Sequence, residues 1–179
     1  GRCRRCLEGR PYICERSVSP RAAGQLLSGH HRLHYDGKPV NHQSGVSCYA
    51  EYAVVDRGSV VVIDRSLPLD IAALFGCAVV TGVGAVVNTG RIEPGSSVAV
   101  VGLGGVGLSG LMGAVLGGAG RIVAIDLSDE KLGLARQLGA TDTVNARDAD
   151  HVQQVRDLTN GGVDYAFDLA GTIKAMETA

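Results

Sequence analysis

Ser97–Asp126 reads S-V-A-V-V-G-L-G-G-V-G-L-S-G-L-M-G-A-V-L-G-G-A-G-R-I-V-A-I-D, and the fold turns on it. The apolar run Val98–Val101 feeds directly into Gly102-Leu103-Gly104-Gly105-Val106-Gly107. An uncharged stretch of helical length follows to Gly117, and a second apolar run, Ile122–Ile125, ends on Asp126. Strand, glycine turn, helix, strand and acid, in that order, are the context in which a G-x-G-x-x-G spacing signals a dinucleotide-binding turn. Gly102 permits the tight turn, Gly104 lets the backbone approach a pyrophosphate, and Gly107 lets the helix pack closely on the strand. Gly105 and Val106 then open the helix, where free N–H groups and the positive end of the dipole face the anion. Asp126, 19 residues after Gly107, stands where an acid accepts hydrogen bonds from the adenosine ribose.

No residue from Pro94 to Gly120 is charged, so on length alone the stretch could span a membrane. Nine of the 23 residues from Val98 to Gly120 are glycine, however, and each costs about 1 kcal/mol in a helix interior relative to alanine. No basic flank orients a span either. Gly110, Gly113 and Gly117 read as a smooth helix face pressed onto the sheet.

The chain has 179 residues, 45% hydrophobic and 20% charged, which is material for one domain or slightly more with a buried core. A net charge of −1 without a basic patch argues against a nucleic-acid partner. Three of the five cysteines fall in the first 14 residues, without a secretory signal pattern. They point to metal binding or catalysis in a reducing, cytoplasmic setting. Gly1 opens inside a motif and Thr172–Ala179 stops inside what reads as a helix, so a piece of a longer protein is expected.

Gly1–Cys14 carries Cys3, Cys6 and Cys14 in the spacing C-x2-C-x7-C, three quarters of a tetrahedral zinc site. A disulfide between two of them is the alternative, and His30, His31 or His34 of the Gly29–Asn41 loop could supply a fourth ligand. Tyr49–Val55 and Ser59–Ile63 read as strands of a small β-rich domain. Asp70 is a plausible N-cap for an uncharged helix over Ile71–Val87, with Cys77 and Thr81 on one face. On its own terms Cys77 reads as a buried structural thiol. Beyond Asp126, a helix capped by Ser128, a strand over Ala140–Asn145, a helix over Ala149–Leu158 and a strand over Val163–Leu169 continue a βαβα alternation. Such alternation builds a parallel sheet.

C-R-R-C-L-E-G-R-P-Y-I-C, G-C-A-V-V-T-G, G-L-G-G-V-G and I-D-L-S-D-E-K occur here in one order. Together they resemble the zinc-dependent medium-chain alcohol dehydrogenases over the whole chain, to N-G-G-V-D-Y-A-F-D. The resemblance implies an α/β fold: part of a Rossmann-type doubly wound parallel sheet, preceded by part of a β-rich, GroES-like catalytic domain with a structural zinc lobe. The expected domains are 1–78 and 79–179. It implies that Cys3, Cys6 and Cys14 are structural zinc ligands and that Cys77 is one of three protein ligands of a catalytic zinc. Thr81 would pack near the nicotinamide, and Lys131 would help Asp126 hold the ribose. The implied activity is hydride transfer between an alcohol held by zinc and NAD, giving an aldehyde or ketone, in a homo-oligomeric parent protein. The chain alone is expected to be inactive. A thiol-adduct formaldehyde dehydrogenase and a non-catalytic NAD- and zinc-binding module are the alternatives. A zinc-free quinone or enoyl reductase lacks the cysteine lobe and the cysteine at position 77. NAD is expected over NADP, because Asp126 would oppose a 2′-phosphate and Leu127, Ser128 and Asp129 offer no arginine to offset it. Gln43 and Ser44 fall where the family's substrate pocket is entered, and imply a polar-substituted alcohol.

Overall fold

The computed structural model describes residues 1–179. They divide into two compact units, Gly1–Asp64 and Arg65–Ala179.

Four parallel strands organise the second unit: β3 (Ser97–Val101), β4 (Arg121–Asp126), β5 (Asp142–Asn145) and β6 (Tyr165–Asp168). Their spatial order is β5-β4-β3-β6, so the chain reverses direction across the sheet between β3 and β6. Register follows from the apolar runs, with Val98–Val101 lying beside Ile122–Ile125 on one side and Tyr165–Asp168 on the other. Alternate residues of β3 and β4 face opposite cores, as period-two geometry requires. Val98, Val100, Ile122 and Ala124 meet Leu111 and Ala114 of the helix Gly105–Leu116 and Leu132 and Ala135 of the helix Asp129–Gln137. Ala99, Val101, Val123 and Ile125 meet Val155 of the helix His151–Leu158 and Ala175 of the helix Ile173–Thr178. Helices therefore cover both faces, and the sheet is Rossmann-type and doubly wound. Each fully buried valine in β3 contributes about 1.5–3 kcal/mol of transfer free energy. Side chains also set the element ends: Ser128 and Thr172 accept from the Lys131 and Ala175 N–H groups. Asp164 accepts from the Ser97 N–H at 2.8 Å and its hydroxyl at 2.7 Å, clamping the starts of β3 and β6 together.

The helix expected over Ile71–Val87 runs from Leu69 to Gly90, interrupted by two π-helical turns, Phe75–Val79 and Ala85–Gly90. Pro68, not Asp70, occupies the N-cap position, and Asp70 lies in the first turn where its charge still meets the helix dipole. By length and composition this helix, not Pro94–Gly120, is the one long and apolar enough to cross a membrane. Its Gly82 is buried against the helix Gly105–Leu116, where an added Cβ would run into the Val106 carbonyl. The same contact extends the reading of Gly110 and Gly113. Gly110 adjoins Leu169, which continues β6, as well as Gly82 and Val86, and Gly113 adjoins Val83 and Val86, so this face lets a second helix approach as well as the sheet.

In the first unit the strands are β1 (Leu33–Tyr35) and β2 (Lys38–Val40), an antiparallel hairpin. Its turn residues, Asp36 and Gly37, both have positive φ (49° and 71°), as a type I′ turn demands. The strands expected over Tyr49–Val55 and Ser59–Ile63 do not form. Both stretches are mostly irregular, and Tyr49, Tyr52, Val61 and Val62 are exposed. A strand needs a partner for its N–H and C=O groups, and no neighbouring strand pairs with either stretch. The GroES-like architecture is accordingly absent from this chain.

Candidate functional site

The glycine turn has the geometry its spacing implies. Gly102 has φ +89°, and its N–H continues the β3–β4 ladder by donating to the Ile125 carbonyl at 2.8 Å. An added Cβ at Gly107 would overlap the Gly102 carbonyl oxygen, so the helix could not approach the turn so closely with any other residue. At Gly104 the same atom would meet nothing within 4 Å: the backbone here borders open space. No side chain caps the helix that begins at Gly105 and no acid sits in its first turn. The N–H groups of its first turn are therefore left for an outside acceptor.

Asp126 ends β4 beside this turn with its side chain only 11% exposed. Its Oδ2 accepts from the Leu103 N–H at 2.7 Å and its Oδ1 from the Ser128 N–H at 2.9 Å. The Lys131 Nζ lies 3.9 Å from Oδ2, half exposed. A cleft of about 920 Å³ opens here at the carboxyl ends of the strands, bordered by Gly102, Asp126, Leu127, Arg147, His151 and Lys174. This is the switch point of an open α/β sheet, where ligands bind. Open backbone at Gly104, an uncapped helix start and a carboxylate at the cleft wall together fit a dinucleotide. Leu127, Arg147, His151 and Lys174 were not singled out from the sequence. Leu127 and Arg147 closely follow β4 and β5, where the strand-end rule places ligand contacts.

Cys77 and Thr81 lie on the exposed stripe of the helix Leu69–Gly90, next to the packed stripe of Ala78, Gly82 and Val86. Cys77 is thus an exposed thiol rather than a buried structural one. Its neighbour Ala78 faces Gly105, 3.7 Å from where a Cβ of that glycine would stand. The thiol is therefore carried on a π-helical turn that packs on the glycine turn, and it is one donor by itself.

In the first unit the three clustered thiols converge. Cys3 Sγ lies 3.5 Å from Cys6 Sγ and 3.8 Å from Cys14 Sγ, and all three fall within 4.8 Å of one another. Thiolates at about 2.3 Å from a tetrahedral zinc stand about 3.8 Å apart, so these residues fit the metal. All five cysteines are free, so the disulfide alternative is not adopted. The backbone N–H groups of Cys6 and Glu15 draw the Cys3 thiol from its ordinary 9.0 down to about 7. Hydrogen bonds with Cys3 and Cys14 push the Cys6 thiol up. A lone thiolate thus makes further ionisation beside it harder, a cost that a dication would relieve. The group of converging ligands consists of these thiols, without His30, His31 or His34. His31 instead meets the Val40 carbonyl. The buried His42, which sequence did not single out, accepts from the Arg32 N–H and so donates from Nδ1 to the Val46 carbonyl. Gln43 and Ser44 are both exposed, Ser44 with φ 54°.

Residues 105–179 match the family described as zinc-binding dehydrogenase. An alcohol dehydrogenase zinc-binding domain protein from Burkholderia ambifaria superposes with a TM-score of 0.86 at 34% identity, over 99% of this chain and 49% of that one. Residues 105–179 thus match the zinc-binding dehydrogenase family, and nearly the whole chain shares the fold of an alcohol dehydrogenase zinc-binding domain protein. Benzyl alcohol dehydrogenase from Acinetobacter calcoaceticus superposes with a TM-score of 0.81 at 32% identity, over 99% of this chain and 48% of that one. The chain thus spans about half the length of these dehydrogenases. Within the chain, the glycine turn, Asp126 and Cys77 belong to one compact unit, and the zinc-fitting cysteine lobe to the other.

Proposed function

We propose that the protein is an oxidoreductase that moves hydride between an alcohol and NAD, with an aldehyde or ketone on the other side of the reaction. The observation that carries this reading is the cleft at the strand ends, bordered by the glycine turn and Asp126, with the Cys77 thiol exposed on a helical turn packed against that glycine turn. When bound, zinc supplies Lewis-acid polarisation of the alcohol oxygen and the nicotinamide ring accepts the hydride. The chain's own residues do the positioning. The N–H groups of Gly105 and Val106 hold the pyrophosphate, and the open backbone at Gly104 lets it come close. Asp126 accepts from the ribose hydroxyls, with Lys131 beside it. Cys77 would offer its sulfur as one ligand to a catalytic metal, and Thr81, one turn further on, stands on the same exposed stripe and would border the nicotinamide. Cys3, Cys6 and Cys14 hold the structural metal.

NAD is the proposed coenzyme on the charge of Asp126, with Arg147 and Lys174 of the same cleft as the opposing charges. A 2′-phosphate beside Asp126 would set like charges in near contact, at a cost that grows where screening is poor. The test is coenzyme preference, measured as the ratio of kcat/KM for NAD and NADP in the parent protein and in Asp126→Ser. We expect a strong NAD preference that falls at least about tenfold in the variant, equivalent to about 1.4 kcal/mol. Equal use of both coenzymes by the parent protein would overturn the assignment.

A further inference from the structure

A carboxylate that only awaited ribose hydroxyls would be expected to face water in the absence of ligand. Asp126 does not: it is largely buried, and both of its oxygens already accept from backbone N–H groups. The shorter bond, 2.7 Å, comes from Leu103, the residue between the first two glycines of the turn. The positive φ of Gly102 turns the chain out of the β3–β4 ladder there, which leaves the next N–H without a strand partner. The Leu103 side chain is 1% exposed in the core, so one end of this residue is fixed by packing and its N–H by Asp126. Gly104 follows at once, and the first free N–H groups of the helix come directly after it. The shape of the anion-binding turn therefore hangs on a bond reaching back from the end of β4.

We propose that Asp126 is a positioning residue for the pyrophosphate half of the site. By holding the Leu103 N–H, its carboxylate keeps the glycine turn in the shape that receives the anion, separately from any contact with the ribose. This rests on the dinucleotide-binding reading above. The second oxygen, tied to the Ser128 N–H, aligns the start of the helix Asp129–Gln137 in the same way, so one side chain sets both loops at the cleft mouth. Each oxygen keeps a lone pair for a ribose hydroxyl, so the two roles are compatible.

The two roles separate when the ligand lacks the hydroxyls. Calorimetric titration of the intact protein with ADP and with 2′,3′-dideoxy-ADP, in the parent and in Asp126→Ala, reads both. We expect the variant to weaken ADP by about 100-fold or more, as two charge-assisted contacts are lost, and dideoxy-ADP by about 5- to 10-fold through the loosened turn alone. A merely fold-stabilising Asp126 would lower the melting temperature without changing the affinity of the folded protein for dideoxy-ADP. Should Asp126→Ala melt below the assay temperature, Asp126→Asn carries the same comparison. It keeps the shape and one accepting oxygen, and it should weaken dideoxy-ADP by more than twofold but less than alanine would. Dideoxy-ADP binding within twofold of the parent, with ADP binding still lost, would overturn the positioning role. Failure of the parent to bind ADP at all would overturn the dinucleotide reading itself.

Discussion

Replacing Gly107 and Gly104 with alanine, one at a time, should separate the glycine turn's structural job from its binding job. At Gly107 the new Cβ would overlap the carbonyl oxygen of Gly102 and stand 2.8 Å from its carbon. Both obstacles are backbone, so no rotamer change relieves them. Overpacking costs about 1–3 kcal/mol when side chains can shift, and a rigid obstacle puts this site near the upper end, at about 3 kcal/mol. For a unit of about a hundred residues each kcal/mol moves the melting temperature by about 4–8 °C, so the midpoint should fall by roughly 12–24 °C. At Gly104 the Cβ meets nothing within 4 Å, and φ is −73°, which alanine adopts freely. Stability there should change by less than about 1 kcal/mol, a small capping loss offset by a stiffer unfolded chain. On the proposed reading, the same methyl stands where the pyrophosphate would come up to the backbone. Losing even one charge-assisted hydrogen bond of about 1.5–3 kcal/mol would weaken ADP at least about tenfold. Thermal melting and calorimetric ADP titration on both variants read the two effects. Parent-like melting of Gly107→Ala, or parent-like ADP binding by Gly104→Ala, would refute the assignment of these roles.

Two further perturbations bear on the second unit's clamp and on the cysteine lobe. The Ser97 N–H and hydroxyl hold the Asp164 carboxyl below its ordinary 3.8. The stability this contributes is present above that value and lost as the pH falls through the lowered one. Asp164→Ala should therefore lower the urea midpoint at pH 7, with the gap from the parent narrowing at pH 3 and below; an equal gap throughout would contradict the linkage. Cys6→Ser should weaken zinc binding by at least about tenfold, the lower bound for losing even an outer partner of a bound metal, and should speed limited proteolysis within Gly1–Asp64. Unchanged zinc content after dialysis would show that the three thiols do not share a metal.

The sheet was legible because every local signal agreed. Apolar runs, a glycine turn, Ser128 at one cap and a glycine behind the helix each specify the same βα units. The failures have physical causes too. Tyr49–Val55 and Ser59–Ile63 have the composition of strands, but composition supplies no partner, and the unpaired stretches stay irregular. The hairpin of β1 and β2 is written in Asp36-Gly37, the pair a type I′ turn favours, although its strands are only three residues long and the surrounding histidines have the composition of a loop. A stripe of small residues announces close approach without saying to what: the face of Gly110 and Gly113 meets a second helix as well as the sheet. The cleft's Arg147, His151 and Lys174 lie on separate elements and come together only once strand order is known. Asp126 shows the opposite limit: its position was plain from spacing, whereas the direction of its two oxygens was not.

The contact between the helix Leu69–Gly90 and the helix Gly105–Leu116 bears on how the protein could move. Ala78 sits against Gly105, and Gly82 against the Val106 carbonyl, the Gly110 N–H and the small side chain of Ser109, so the two helices meet almost backbone to backbone. The Cys77 sulfur and the glycine turn are thereby parts of one rigid body. A hinge elsewhere in the protein can bring a substrate toward them or shut water out, but it cannot change the span from that sulfur to the turn. On the proposed reading, the gauge between a metal at Cys77 and a coenzyme at the glycine turn is set by packing within a single unit.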